Sequence, residues 1–329
     1  MLSRHQLRKL RGPKLIGLFL FLFIALSLQA QSPPPAGTTP QAKITRTTSL
    51  VVLPVNVTDS NHVFVPGLKA QNFRVLEDGR EQPITLFKEE DTPVTVGLIV
   101  DHSRSMGAKL AAVTTAVRAF AHSSNPDDEM FVVGFNEDVS VELMEGKAFT
   151  HDAAELEKAI YAVAANGQTA LYDAVMEGLI HVQLGQWHKN ALIIVSDGGD
   201  NASHAKFSDL LALAQRSHVM IYSIGLVDAA GEEENPRVLE KLARATGGMA
   251  FLTKQSDQAA KLMMQIARDL REQYVLGYTP PPAGRADSFR KIQVQVSSPE
   301  GSKLRVRTRP GYFLAEKNPQ LATSRGDSP

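Results

Sequence analysis

Cysteine is absent from all 329 residues. Disulfides, thiolate catalysis, Cys-ligated zinc and iron–sulfur clusters are thereby excluded. A surplus of either charge is absent as well: 35 Lys and Arg balance 35 Asp and Glu. A dedicated nucleic-acid binder carries a basic excess, so no nucleic acid is expected as a partner. No G-x-S-x-G or H-E-x-x-H occurs, so hydrolase machinery lacks its usual signature. No internal repeat is visible. The remaining composition, 43% hydrophobic and 21% charged, is that of a globular protein with a real core and material for about two domains.

The amino terminus carries a basic region (Arg4, Arg8, Lys9, Arg11, Lys14) without an acid. Behind it runs Leu15–Leu28 (LIGLFLFLFIALSL), fourteen mostly apolar residues. A membrane span takes about 20, so the pattern reads as a signal peptide over residues 1–30. Ala30 suits the position before a cleavage site, whereas Leu28 is a poor residue two positions earlier. Cleavage near Gln31 and retention as an N-terminal anchor both stay open. Removing residues 1–30 takes away five positive charges and leaves 30 basic against 35 acidic residues, a balance of −5. The expectation is export to the periplasm or beyond the cell, with membrane contact only if the leader is retained.

Residues 31–43 form a Pro-rich linker (Gln31–Gln41, QSPPPAGTTPQ). A β segment follows over 44–91, with strand-like stretches at 49–57, 72–76 and 84–87 and a turn signal at Asp78-Gly79. From 92 to 274 the pattern changes. Apolar runs at 94–100, 130–135, 191–195, 219–225 and 249–252 alternate with helical periods. Leu110, Val113, Val117 and Phe120 share one helix face, and Ala259, Met263, Ile266, Leu270 and Tyr274 another. Continuous apolar strands between helices predict a doubly wound α/β domain with a mostly parallel sheet. A C-terminal β segment over 275–314, with the strand Tyr274–Tyr278 at its boundary, contains Phe289–Val296 and Lys303–Arg309, joined by Pro299-Glu300-Gly301-Ser302 as a hairpin signal. A short sheet cannot bury a face alone, so strands from both flanks are expected to form one small antiparallel module. Residues 315–329 are polar and read as a disordered tail.

Ligands of open α/β sheets bind beyond the carboxyl ends of the strands, at the topological switch point. After the first such strand stands Asp101-His102-Ser103-Arg104-Ser105, in place of the Gly-rich signatures of dinucleotide or NTP binding. In an extended loop, alternate residues point the same way, so Asp101, Ser103 and Ser105 converge. Gly167-Gln168-Thr169-Ala170-Leu171-Tyr172-Asp173 opens a helix, and Ser196-Asp197-Gly198-Gly199-Asp200 ends the strand ALIIV. Thr169 and Asp197 can reach the same sheet edge. Two carboxylates and three hydroxyls suit a hard cation such as Mg²⁺, whereas zinc would want His or Cys.

These three segments together resemble the metal-ion-dependent adhesion site of a von Willebrand factor type A (VWA) domain. The flanks, F-x-V-x-E-D-G before it and Y-V-L-G-Y, R-K-I-x-V and R-P-G-Y-F after it, resemble an exported bacterial VWA-related family. The resemblance implies a VWA fold and metal roles for five residues. Ser103 and Ser105 would bind through their hydroxyls. Asp101 would hold metal-bound water and accept from the serines. Thr169 and Asp197 would be direct or water-mediated ligands. The ion would be Mg²⁺, with Mn²⁺ or Ca²⁺ as alternatives, and its remaining position would take an Asp or Glu side chain of a protein partner. The expected function is an exported metal-dependent protein-binding module and not an enzyme. Two alternatives stand beside it: a structural envelope-assembly subunit in which the fold is only a scaffold, and a Mg²⁺-dependent hydrolase. His102 and His204 are read as surface positions near the site's rim, and Asp127-Asp128-Glu129 as a solvated acidic turn. Arg305, Arg307 and Arg309 are read as a solvated sheet face or a binding stripe, and Arg325-Gly326-Asp327 as a chance tripeptide.

Overall fold

The computed structural model describes residues 50–89, 91–143, 146–227, 234–281, 288–299 and 301–313. The leader, the linker and the tail with its Arg325-Gly326-Asp327 lie outside the described residues.

Four strands precede the α/β region: β1 (Val51–Thr58), β2 (Phe73–Glu77), β3 (Arg80–Gln82) and β4 (Leu86–Glu89). Asp78 and Gly79 make the two-residue turn between β2 and β3, with φ of 49° and 79°, which matches the twist of a hairpin. The central layer then alternates: β5 (Thr95–Asp101), α1 (Leu110–Ser123), β6 (Glu129–Phe135), β7 (Val139–Val141), α2 (Ala153–Ala162), α3 (Leu171–His181), β8 (Asn190–Ser196), α4 (Phe207–Arg216), β9 (Met220–Leu226), α5 (Pro236–Thr246), β10 (Ala250–Thr253) and α6 (Ala259–Arg271). Last come β11 (Tyr274–Tyr278), β12 (Phe289–Val296), β13 (Arg305–Arg307) and β14 (Gly311–Phe313).

The six-stranded sheet has the order β10-β9-β8-β5-β6-β7, parallel except for the short edge strand β7. Its four inner strands, β9, β8, β5 and β6, are buried on both faces, which explains why they read as unbroken apolar runs. Val96, Leu98 and Val100 of β5 pack with α1, α2 and α6 on one face. Ile99 packs with α3, α4 and α5 on the other.

The flanking segments form two further four-stranded sheets, β13-β1-β11-β4 and β14-β12-β2-β3. Every pairing in them is antiparallel, and β1 joins β11 and β13 while β2 joins β12. The two sheets share one core, with Leu53, Val55, Phe73, Val75, Leu276 and Val294 buried between them. The small module is therefore a sandwich built from both ends of the chain. Motif residues of the flanks meet inside it. Glu77 accepts the hydroxyls of Tyr278 at 2.6 Å and Tyr312 at 3.0 Å, with Arg290 3.5 Å away.

Four expectations change. The Pro299–Ser302 turn does not join a hairpin: β12 pairs with β2 and β14, whereas β13 pairs with β1 in the opposite sheet. β12 lies inside its sheet between β14 and β2, and β13 takes the edge beside β1. Tyr274 does not continue the last helix face. It opens β11 and packs among Phe64, Phe73 and Phe87. The alternating arginines are neither a solvated face nor a stripe. Arg307 pairs with Asp269 at the end of α6, donates to the Gly247 carbonyl at 2.6 Å and to Asn56 Oδ1 at 3.0 Å. Arg309 is buried and donates to the Gln215 and Gly311 carbonyls. Both guanidiniums fasten the sandwich to the α/β domain, and only Arg305 is exposed.

Asp127-Asp128-Glu129 is only partly solvated. Asp128 and Glu129 are buried: Asp128 accepts from the Val94 and Asn125 backbones, and Glu129 accepts from Thr95 and Gln186. The segment pins the start of two strands, a job that needs buried acceptors.

Candidate metal site

The chain leaves β5 to form β6 on one side, then returns to place β8 on the other side. The switch point therefore lies between the carboxyl ends of β5 and β8, where loops diverge and leave a crevice. Asp101 is the last residue of β5 and Ser196 the last of β8. Asp197 follows at once.

Asp101 is fully buried. Its Oδ1 accepts the Ser103 backbone N–H at 2.8 Å, and its Oδ2 accepts the Ser196 hydroxyl at 2.6 Å. The Ser103 and Ser105 hydroxyls lie 3.1 Å apart, and Ser105 donates to Asp197 Oδ2 at 2.7 Å. A continuous hydrogen-bonded path thus links four of the five expected residues. The convergence does not come from an extended loop. Ser103 is extended, but residues Arg104–Lys109 form a 3₁₀ turn leading into α1, anchored by buried Met106. This turn folds Ser105 back onto the strand ends.

Asp197 is 4% exposed, and its Oδ1 accepts the Gly199 N–H at 3.0 Å. Gly198 has φ of 86°, and its Cα lies against the Asn235 backbone, so no side chain fits there. Thr169 is held by its backbone to the 201–202 segment. Its N–H donates to Asn201 Oδ1 at 2.8 Å, and its carbonyl accepts from Asn201 and Ala202. Among the described residues, no hydrogen bond joins its hydroxyl to the other four side chains. Asp173 and Asp200 act as ties. Asp200 accepts from the Tyr172 N–H and the Ser203 hydroxyl, and Asp173 accepts from the His204 and Ala205 backbones. They fix the 200–205 loop against the N-terminus of α3.

His102 is not a surface residue. It is fully buried, with its ring nitrogens 3.0 Å from the Val100 carbonyl and 2.8 Å from the Ile160 carbonyl. The chain turns it into the domain so that Asp101 and Ser103 can face the crevice. His204 stays on the surface, beside Asp173.

The donor set tests whether a cation fits. Two carboxylates lie close together and almost without solvent, and they accept from hydroxyls and backbone N–H groups. Burial first, with the Asp197 charge adding to it, pushes the Asp101 carboxyl up to about 6, although Ser103 and Ser196 pull the other way. Among the described residues no three His, Asp or Glu side chains gather as ligands. The set is all oxygen, with few charges and several hydroxyls, which fits a hard divalent ion.

The von Willebrand factor type A domain model matches residues 96–265. No curated protein sequence matches the chain. Similar solved structures include a von Willebrand factor type A protein from Catenulispora acidiphila, 14% identical over 83% of this chain and 76% of that one, with a TM-score of 0.48. Another is the vWF domain of the type V pili tip protein Mfa5 from Porphyromonas gingivalis, 13% identical over 55% and 95%, TM-score 0.45. A third is proximal thread matrix protein 1 from the mussel byssus with a zinc-occupied MIDAS motif, 18% identical over 59% and 49%, TM-score 0.47. The matched segment carries the D-x-S-x-S loop, the Thr169 loop and the Asp197 loop, and the chain belongs to the von Willebrand factor type A domain family.

Proposed function

We propose that this chain is an exported, metal-dependent protein-binding module and not an enzyme. Asp101, Ser103, Ser105, Thr169 and Asp197 hold Mg²⁺, with Mn²⁺ or Ca²⁺ as alternatives, and the partner contributes one Asp or Glu side chain. The observation carrying this reading is the pair of buried carboxylates at the switch point, bridged by hydroxyls that can turn from each other toward a cation. When bound, the ion supplies an electron-poor point for an incoming carboxylate. Asp101 fixes Ser103 and the end of β8, Ser105 links to Asp197, and Asn201 holds the Thr169 backbone. Loops at a sheet edge are free to add specificity. Export rests on the basic and apolar leader pattern of residues 1–30. Among the described residues no helix is long and apolar enough to cross a membrane.

The test is quantitative capture from the native envelope, using wild type and Ser103→Ala, each with Mg²⁺ and with EDTA. The reading expects one protein held by wild type in Mg²⁺, released by EDTA and held weakly by the variant. Equal capture in all four conditions would replace this reading with the scaffold one.

A further inference from the structure

Among the described residues, Thr169 is the member of the set whose hydroxyl is not hydrogen-bonded to the others, so its placement depends on how the loop before α3 is held. Asn201 grips that loop from one side. From the other side the turn after β6 reaches across. The Gln168 N–H donates to Glu137 Oε2 at 2.6 Å, and the Ala170 N–H donates to the Asn136 carbonyl at 2.7 Å. Asn136 Nδ2 also donates to Asn166 Oδ1 at 3.1 Å. The contact is tight: Gly167 has φ of 75°, and a Cβ there would collide with the Glu137 carboxylate. The same loop is bound to the D-x-S-x-S segment, because the Asn166 N–H donates to the His102 carbonyl at 3.0 Å and Arg104 N–H approaches the Gly167 carbonyl at 3.4 Å.

We infer that Glu137 is a positioning residue of the metal site: its carboxylate and Gly167 together clamp the 166–170 loop and so set Thr169 against Asp101 and Asp197. This rests on the metal reading above. Glu137 acts through the Gln168 backbone and does not itself touch the ion. A hydrogen bond from a backbone N–H to an ionised acceptor is roughly twice as strong as a neutral one. Glu137 is exposed, so water competes for its carboxylate, and the effect of losing it belongs at the low end of what outer ligand supports contribute.

The experiment follows Mn²⁺ binding by electron paramagnetic resonance in wild type, Glu137→Ala and Glu137→Gln. Amide hydrogen exchange at Gln168 is measured on the same metal-free proteins. Glu137→Ala should weaken Mn²⁺ about tenfold and speed the exchange of Gln168. Glu137→Gln keeps an oxygen that accepts the same N–H but without the charge, and should fall between wild type and Glu137→Ala in both readouts. Gly167→Ala should weaken Mn²⁺ in the wild-type background and do so less beside Glu137→Ala, where the collision is gone. Wild-type affinity in Glu137→Ala overturns the proposal. So does a Glu137→Gln variant as weak as Glu137→Ala, because the charge and not the clamp would then act. Unchanged exchange in Glu137→Ala, with Mn²⁺ binding intact in wild type, overturns the clamp alone. A wild type that takes no Mn²⁺ overturns the metal reading, and the link from Glu137 to an ion with it.

Discussion

Asp101 is where burial, charge and binding meet. Its carboxyl is raised to about 6, above the unfolded value of 3.8, by burial and by Asp197. The folded metal-free chain therefore holds this proton more tightly than the unfolded chain. The stability from this group is present at low pH and is lost as the pH rises from about 4 through about 6. A cation competes with that proton, so Mg²⁺ affinity should climb between about pH 5 and pH 7 and level off above. Mg²⁺ titrations at several pH values check this, and a flat profile would separate Asp101 from the ion. Ser196→Ala removes the donor to Asp101 Oδ2, a loss expected to cost about 1–3 kcal/mol in denaturant unfolding. The five proposed ligands stand out in the sequence because hydroxyls and carboxylates follow the ends of β5 and β8 and open α3, and the structure joins four of them by hydrogen bonds. Ser196 was in view inside S-D-G-x-D, but strand-end logic points past it to Asp197. Glu137 left no signal, because accepting one distant backbone N–H has no local pattern.

At the scale of elements, the joint between α6 and the sandwich matters most. The last carbonyls of a helix lack partners within it. Asn56 Nδ2 of β1 donates to the Asp269 and Glu272 carbonyls, each at 3.0 Å. Tyr222 donates to Asp269 Oδ2 at 2.6 Å, and Arg307 pairs with the same carboxylate. Removing Arg307 leaves the partly buried Asp269 carboxylate with the Tyr222 hydroxyl but without its ion-pair partner. Arg307→Ala should therefore destabilise the chain by on the order of 2 kcal/mol, below the figure for a fully buried pair because about a fifth of each side chain sees water. An unchanged urea midpoint would contradict the joint. This element-scale feature was illegible in sequence. Alternating arginines on a short strand look alike whether they face water or a neighbouring domain, and only tertiary placement decides. The strands themselves were legible from β-branched runs, while the pairing of β12 and β13 was not. A turn signal marks a reversal but not which sheet receives the next strand.

For the described residues as a whole, the sandwich draws its strands from both sides of the α/β domain in sequence, so neither flank is independent. Deleting residues 285–329 removes β12, β13 and β14 and exposes the apolar face of β1 and β2. Amide protection of residues 51–57 should fall sharply in that truncation, and unchanged protection would show that the N-terminal strands stand alone. The mutual dependence was legible because two short β segments each lacked a second layer. The two-sheet form was not, since alternation fixes which side chains face inward but not how many sheets share them. At the strand ends, hydrogen bonds join four of the five proposed ligands, and the proposed function requires all five side chains to act as one site. Calorimetric titration of Mg²⁺ into wild type, Asp101→Ala and Asp197→Ala tests that claim most directly, with Arg305→Ala as a surface control. The account predicts one ion per chain in wild type and in the control, and none in either aspartate variant. Equal binding in all four proteins would show that the cation sits elsewhere and that the switch point between β5 and β8 is not a metal site.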